Sequence, residues 1–259
     1  MKEHFKMINS YTGALITGGL TNIGLATSKK FLNLGIPVVA GSSNAGKPIR
    51  KRIEKDLHHL AQINNVSFLS INMDVSDEKS VRSAVRKIET QFGFISILVN
   101  SAGVGSSNKE ICNLDLKDWQ RTLEVNLTGP FLTTRQIWPH MRKAGCGRII
   151  NIASTAAHIG SSKYSAFCSS KAGLLGLTRA TAVEGAPYSI TANSISPSWV
   201  ETIREGVNTN KLYKEIAKKN LQKRVIQTAE IAEQICWLAL KAPVSLTGED
   251  IRITGGELW

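Results

Sequence analysis

Short apolar runs alternate with longer helical patterns along this chain, and that alternation constrains the fold more than any other feature. The runs are four to seven residues long and most are rich in Val, Ile or Leu, as is typical of strands buried in a parallel sheet. They are Ala14–Thr17, Pro37–Gly41, Ser67–Met73, Ile95–Asn100, Arg148–Ala153, Thr191–Ile195 and Asp250–Ile253. The helical patterns between them are Asn22–Leu34, Lys47–Ile63, Glu78–Phe92, Leu116–Met141, Ser165–Glu184 and Ala229–Leu240.

The alternation predicts an α/β fold with a doubly wound parallel sheet of about seven strands and helices on both faces. Right-handed crossovers then place ligand sites at the carboxyl ends of the strands. No linker, repeat or low-complexity segment divides the 259 residues, so we expect a single domain over 1–259. The segment Glu201–Arg224 lacks a strand and is expected to form a helical lid. Asp77 and Thr228 are predicted helix N-caps.

The composition is ordinary for a globular protein, with 42% apolar and 20% charged residues. No apolar run approaches the roughly 18 residues that span a bilayer. The polar start, Met1–Ser10, lacks the apolar core of a signal peptide, so we expect a cytoplasmic protein with no membrane partner. The four cysteines are far apart and the five histidines lack ligand spacing, which predicts free thiols and no structural metal.

The net charge of +12 leaves two interpretations open. Basic residues concentrate in Lys47–Lys55 and Lys211–Arg224, and such runs are usually solvated helix faces. The alternative is attraction of an anion: a cofactor phosphate for the first cluster and an anionic or carrier-bound substrate near the second. Nucleic acid is not expected, because no binding motif or pattern of stacking aromatics accompanies the charge.

A glycine-bearing turn follows the first predicted strand. The sequence Thr17-Gly18-Gly19-Leu20-Thr21-Asn22-Ile23-Gly24 leads from this strand into the first helix. Such a turn lets the backbone approach a pyrophosphate at the helix N-terminus, where unpaired N–H groups point at the anion. A tight strand–helix connection would use glycine for steric reasons alone, so the turn by itself is a weak signal. Its position before the first helix of an alternating chain favours a dinucleotide site.

Further motifs stand near the ends of the later strands. In chain order they are Asp74-Val75, Asn100-Ser101-Ala102-Gly103, Asn126 within Glu124–Phe131, Ser154, Lys171 within Phe167–Gly173, Asn193–Thr202, Leu246–Gly248 and Thr254–Gly256. With these motifs in this order, the chain resembles the short-chain dehydrogenases/reductases, in the single-domain branch near the fatty-acid and polyketide ketoreductases. The resemblance covers nearly the whole chain and departs from the family at Asn22, Ser101 and Ser198, which replace Gly, Asn and Gly.

The resemblance implies a Rossmann-type single domain that moves a hydride to or from a nicotinamide ring, reducing a ketone or oxidising a secondary alcohol. The implied catalytic residues are Asn126, Ser154, Phe167 and Lys171. In the family, Lys171 would hold the cofactor ribose, Ser154 would bond the substrate oxygen, and Asn126 would anchor a water linked to Lys171. The implied cofactor residues are Gly18, Thr21, Asn22, Ile23, Gly24, Ser42, Ser43, Asp74, Val75, Asn100, Ala102, Gly103, Lys171, Pro197, Val200 and Thr202, the last at the nicotinamide carboxamide.

Phe167 is the main departure, because the family has a proton-donating tyrosine at this position. Three explanations stay open. The first is a deliberate replacement of tyrosine made to trap a ligand. The second is a natural enzyme whose proton comes from water, Ser154 or Tyr164. The third is a non-redox protein that binds cofactor or catalyses isomerisation or cyclisation on the same scaffold.

The end of the second strand favours NADPH over NADH. Relatives specific for NAD place an acidic residue there, whereas this chain has Ser42 and Ser43 followed by Lys47 and Arg50. Ser154, Tyr164 and Trp199 are the predicted substrate contacts. The predicted partner is a small carbonyl or alcohol compound, and a carrier-protein or coenzyme A-linked substrate stays possible. The family further implies a homotetramer or homodimer, formed through the fourth and fifth predicted helices and the last strand.

Overall fold

The computed structural model describes residues 13–43, 48–105, 107–202 and 209–257. Its strands all belong to one sheet in which every pairing is parallel, with the order β3-β2-β1-β4-β5-β6-β7. This is the predicted doubly wound architecture. The strands are β1 (Ala14–Thr17), β2 (Val38–Ser42), β3 (Phe68–Asn72), β4 (Ile97–Asn100), β5 (Gly147–Ile152), β6 (Ile190–Pro197) and β7 (Asp250–Ile253).

Helices connect the strands and cover both faces of the sheet. They are α1 (Asn22–Asn33), α2 (Pro48–Ile63), α3 (Glu78–Gln91), α4 (Leu116–Leu123), α5 (Gly129–Ala144), α6 (Ala156–Ile159), α7 (Ser165–Gly185), α8 (Thr209–Lys219) and α9 (Thr228–Leu240). Short 3₁₀ segments lie at Ile111–Asn113 and Ala186–Tyr188. Among the described helices, none has the length and hydropathy of a bilayer-spanning segment.

Alternating residues of each central strand enter two separate apolar layers. In β1, Ala14 and Ile16 join the layer that contains Phe31 of α1 and Ile235 of α9, while Leu15 joins the opposite layer. Because successive strand side chains point to opposite faces, a strand that is apolar throughout needs helices on both sides. The continuous apolar runs in the sequence reflect this double burial.

The predicted helix Leu116–Met141 is interrupted. A π-helical segment, Glu124–Thr128, separates α4 from α5. Pro130 explains part of the break, because it has no N–H to donate to the carbonyl of Asn126 four residues earlier. Single π turns inside α-helices frequently mark functional sites, and this one carries Asn126.

Of the two predicted N-caps, Asp77 is confirmed and Thr228 is wrong. The Asp77 carboxylate accepts a hydrogen bond from the Lys79 N–H at 2.9 Å. At α9 the cap is Gln227, and Thr228 is the first helical residue. Gln227 takes this position because its own N–H donates to the Glu230 carboxylate at 2.8 Å, which completes a capping box.

Candidate functional site

A cleft of about 810 Å³ lies along the carboxyl ends of the strands, where the fold predicts a ligand. Its walls include the segments that follow β1 to β7. Most residues predicted from the sequence line it: Gly18, Thr21, Asn22, Ile23, Ser42, Ser43, Asp74, Val75, Ala102, Gly103, Ser154, Tyr164, Phe167, Lys171, Pro197, Trp199, Val200 and Thr202. Three predicted site residues, Gly24, Asn100 and Asn126, are not among the lining residues and act from behind the wall.

The turn after β1 has the geometry of an anion cradle. Gly18 has φ +68°, and a Cβ there would lie 3.1 Å from the Cα of Ala102. Asn22 also has a positive φ, 43°, a conformation that asparagine adopts more readily than most residues. A Cβ on Gly24 would lie 2.2 Å from the Gly18 carbonyl oxygen, so Gly24 closes the turn instead of touching a ligand. The turn therefore leaves backbone at the start of α1 open to a phosphate.

A cation stands at the end of β2. The guanidinium of Arg50, on α2, donates to the Ser42 hydroxyl and to the Ser43 carbonyl, and Arg50 lines the cleft. Lys47, the other predicted basic group, lies outside the described residues. The serines and Arg50 together give this end of the cleft hydrogen-bond donors and positive charge.

The end of β3 combines an acid with a second arginine. Burial alone would raise the pKa of Asp74, but hydrogen bonds from the Ser76 hydroxyl and N–H, with the nearby charge of Arg121, hold that pKa below its usual range. Arg121 also donates to the Ser76 hydroxyl at 2.6 Å and lines the cleft. Sequence reasoning missed Arg121, which lies on α4 within an ordinary amphipathic pattern.

Asn100 braces the sheet and is a correction to the predicted cofactor contacts. It is 2% exposed, donates to Asn151 at 2.8 Å and accepts a hydrogen bond from Thr133 at 2.7 Å. The side chain therefore joins β4 to β5 and α5. The wall itself is formed by the following residues, and the N–H of Ala102 is held by the Thr17 hydroxyl at 3.1 Å.

Asn126 lies behind the cleft and ties two of its walls together. It is fully buried, its carboxamide oxygen accepts from the Val104 N–H at 2.9 Å, and its amide donates to the Val104 carbonyl at 3.0 Å. The amide also donates to the Ser170 hydroxyl at 3.2 Å. Asn126 thus fixes the segment after β4 against α7, the helix that carries Lys171.

Lys171 extends from α7 onto the floor of the cleft. Its Nζ donates to the Ile152 carbonyl at 2.7 Å and lies 5.8 Å from the centroid of the Phe167 ring. Burial lowers the pKa of Lys171 from 10.5 to about 8. An ammonium has three donors, so the bond to Ile152 leaves two for a ligand. A buried cation with donors to spare fits the ribose hydroxyls of a nucleotide.

Ser154, Phe167 and Tyr164 share the cleft with Lys171. The Ser154 hydroxyl accepts a hydrogen bond from the Ala156 N–H at 3.2 Å, which leaves its own proton free to point into the cleft. Phe167 follows on the first turn of α7. Tyr164, a predicted substrate contact, is the N-cap residue of α7, with φ −124°. All three line the cleft.

The far end of the cleft is formed after β6 and β7. Pro197, Val200 and Thr202 line it, as predicted. Thr202 is held by Tyr213 of α8, whose hydroxyl accepts from the Thr202 N–H and donates to its carbonyl, both at 2.9 Å. Part of the predicted lid is therefore a helix in contact with the site, although 203–208 lie outside the described residues. Glu257 also lines this end, and no pattern in the sequence indicated it.

Comparisons with known proteins agree with this geometry. A family model described as enoyl-(acyl carrier protein) reductase matches residues 18–257. The chain is 30% identical over 243 residues to cis-4-hydroxycyclohexanecarboxylate dehydrogenase of Sinomonas cyclohexanicum, covering 94% of this chain and 95% of the relative. It is 32% identical to acetoacetyl-CoA reductase of Allochromatium vinosum, over 94% and 97%. The crystal structure of gox2181 superposes with a TM-score of 0.87 at 28% identity, over 98% of both chains.

Proposed function

We propose that this chain, which belongs to the short-chain dehydrogenase/reductase family, transfers a hydride from NADPH to a ketone, or in reverse from a secondary alcohol to NADP⁺. Family membership makes the chain an oxidoreductase dependent on NAD(P). The proposal adds the phosphorylated cofactor and the residue roles. The observation that carries it is the joint placement of Ser154, Phe167 and Lys171 on one cleft with the glycine turn after β1.

The residues present fit a dinucleotide. The turn at Gly18 and the start of α1 would hold the pyrophosphate, Asp74 and Val75 would border the adenine, and Lys171 would hold a ribose. Pro197, Val200 and Thr202 would hold the nicotinamide, with Tyr213 fixing the backbone of Thr202. When bound, the nicotinamide supplies a hydride to the carbonyl carbon of the substrate, or takes one from the corresponding alcohol carbon.

The second strand supports NADPH as the preferred form. A 2′-phosphate at the end of β2 would meet the hydroxyls of Ser42 and Ser43 and the guanidinium of Arg50, which already contacts both serines. Among the described lining residues, no carboxylate from β2 is present to bind a free 2′-hydroxyl or to repel the phosphate. Charge-assisted bonds from arginine to phosphate are among the stronger polar contacts.

The chain's own residues polarise the substrate, but the position of the family's proton donor has no group that can deliver a proton. Ser154 donates its hydroxyl proton in a hydrogen bond to the substrate oxygen, and Lys171 orients the ribose beside it. Phe167 occupies the position of the proton donor and has no proton to give. The proton must then come from water, Ser154 or Tyr164, which makes the reaction slow. Asn126 keeps Lys171 in place through Ser170 and the segment at Val104.

We also propose a homotetramer or homodimer in a reducing, cytoplasmic environment. Leu116, Phe131 and Val183, from the fourth and fifth predicted helices, are exposed apolar side chains that a second copy would cover. The four cysteines are all free, which fits a reducing compartment. Light scattering on the purified chain gives the number of subunits directly.

A carrier-linked or coenzyme A-linked substrate is an alternative to a free small molecule.

The test measures coenzyme binding and turnover separately. NADPH fluorescence titration reports binding, and loss of absorbance at the nicotinamide band with a panel of ketones reports hydride transfer. Both are measured on this chain and on Phe167→Tyr. Saturable NADPH binding by both proteins, with turnover at least in Phe167→Tyr, supports the proposal. Tight NADPH binding without turnover in either protein contradicts it and favours a non-redox role for the scaffold.

A further inference from the structure

The charged side chains of the cleft are distributed unevenly along it. Among the described lining residues they are Arg50, Asp74, Arg121, Lys171 and Glu257. Arg50, Asp74 and Arg121 stand at the ends of β2 and β3, on one side of the sheet. Lys171 bonds the end of β5 near the middle. Glu257 follows β7, at the opposite edge, so the two ends of the cleft differ in charge.

Glu257 is held in place by the structure around it. The Ser198 hydroxyl donates to the Glu257 carboxylate, and the Ser198 N–H donates to the Ile253 carbonyl at 2.9 Å. The backbone of Glu257 forms a bridge with Asn220. Asn220 is 5% exposed and donates to the Thr254 carbonyl at 2.8 Å. The carboxylate is therefore a fixed part of the cleft wall.

This carboxylate has acceptor capacity left for a ligand. Two carboxylate oxygens offer about four lone-pair sites, and the Ser198 hydroxyl uses one. Within the part of the chain that the structure describes, no ion pair neutralises Glu257. A partly buried, unneutralised carboxylate attracts hydrogen-bond donors and cations and repels anions.

We propose that Glu257 selects the substrate by charge. The substrate carbonyl compound carries a hydroxyl or ammonium group on the side that faces Glu257, and compounds with a carboxylate there are rejected. This inference rests on the proposed function, because it needs a carbonyl substrate beside Ser154. It adds the chemical class of the substrate, which is a hydroxylated or amino ketone or the corresponding alcohol.

The test uses three cyclohexanones that differ only in the 4-substituent: hydroxymethyl, aminomethyl or carboxylate. Binding to the NADPH complex of the unmodified chain is measured by calorimetry, and kcat/KM is measured in the Phe167→Tyr background. We expect the aminomethyl and hydroxymethyl ketones to be favoured over the carboxylate by about 10-fold or more. Glu257→Gln should reduce this ratio about 10-fold, with NADPH affinity unchanged. Glu249→Gln, which removes the same charge at an exposed position away from the cleft, should leave the ratio unchanged.

Different failures have different meanings. If the carboxylate ketone is preferred, or if Glu257→Gln changes the ratio less than twofold, the role of Glu257 is wrong while the proposed function stands. If none of the three ketones binds or is reduced although NADPH binds, the role of Glu257 is contradicted, whereas hydride transfer is decided separately by turnover of the ketone panel with Phe167→Tyr.

Discussion

The two halves of the cleft differ in completeness. The half between β1 and β3 has groups that fit the proposed phosphorylated nucleotide: the open turn at Gly18, Arg50 at the end of β2, and Asp74 held by Ser76. The half between β5 and β7 has Ser154 and Lys171 but a phenyl ring where a proton donor is expected. Apart from Lys171, which would serve both, binding and chemistry would thus be carried by separate residues, and one could be altered without the other.

The largest expected effect comes from completing the second half. Phe167→Tyr adds one hydroxyl on the helix face that carries Lys171, and a buried ammonium stabilises a nearby phenolate. A positioned general acid is worth on the order of 10²–10⁴ in rate, so kcat for ketone reduction should rise by that amount. The coenzyme Kd should change less than twofold, since the first half is untouched. Steady-state kinetics and fluorescence titration measure the two quantities; a changed Kd with unchanged kcat would contradict the separation.

Lys171 would serve both coenzyme binding and catalysis. Its removal should change NADPH affinity and the stability of the fold in opposite directions. Lys171→Met deletes the ammonium that would hold the ribose, and the loss of charged hydrogen bonds should weaken NADPH binding about 10- to 100-fold. The free energy of unfolding should instead rise, because the buried charge is removed. Burial lowers the pKa of Lys171 from 10.5 to about 8, which corresponds to about 3 kcal/mol of unfavourable burial at neutral pH.

The stabilising effect of Lys171→Met should depend on pH. Between pH 8 and 10.5 the unfolded chain keeps the Lys171 proton while the folded chain has lost it, so stability rises with pH across this window. The cost is fully present below pH 8. The difference in unfolding free energy between Lys171→Met and the unmodified chain should therefore shrink above pH 8. Urea unfolding at pH 7, 9 and 10 measures it, and a constant difference would show that burial does not penalise the charge.

Arg50 tests the first half alone. Arg50→Gln removes the cation at the end of β2, so the NADPH Kd should rise about 10-fold while the NADH Kd changes less than twofold. Arg52→Gln, on the same helix but exposed and outside the cleft, is the matched control for net charge. Equal effects on both coenzymes would mean that Arg50 supports the fold of this end and does not select the phosphate.

The sequence predicted the elements that repeat a simple physical pattern. The apolar runs predicted the strands and their burial on both faces of the sheet. The glycines between the first strand and the first helix predicted the turn at Gly18. Gly24 and Asn100 were expected in the cleft but lie behind it, because a motif shows which residues matter and not which ones touch a ligand. Arg121 and Glu257 were missed, since each reaches the cleft only through the tertiary arrangement of its segment. The π turn at Asn126 was also missed, although Pro130 accounts for part of the break in that helix.

The smallest expected effect concerns Tyr164, a phenol that lines the cleft. Tyr164 lines the cleft as the N-cap residue of α7, seven residues before Lys171, whereas Phe167 stands one helical turn before it. Tyr164 therefore lacks the one-turn spacing that would let the Lys171 ammonium prepare a phenol for proton transfer. Tyr164→Phe should therefore change the residual kcat of the unmodified chain less than about threefold, whereas loss of a true general acid costs on the order of 10²–10⁴. A loss in that larger range, with KM and NADPH affinity preserved, would instead identify Tyr164 as the proton source. The same substitution in Phe167→Tyr serves as the control, because there the restored hydroxyl supplies the proton and Tyr164 should have no effect on kcat.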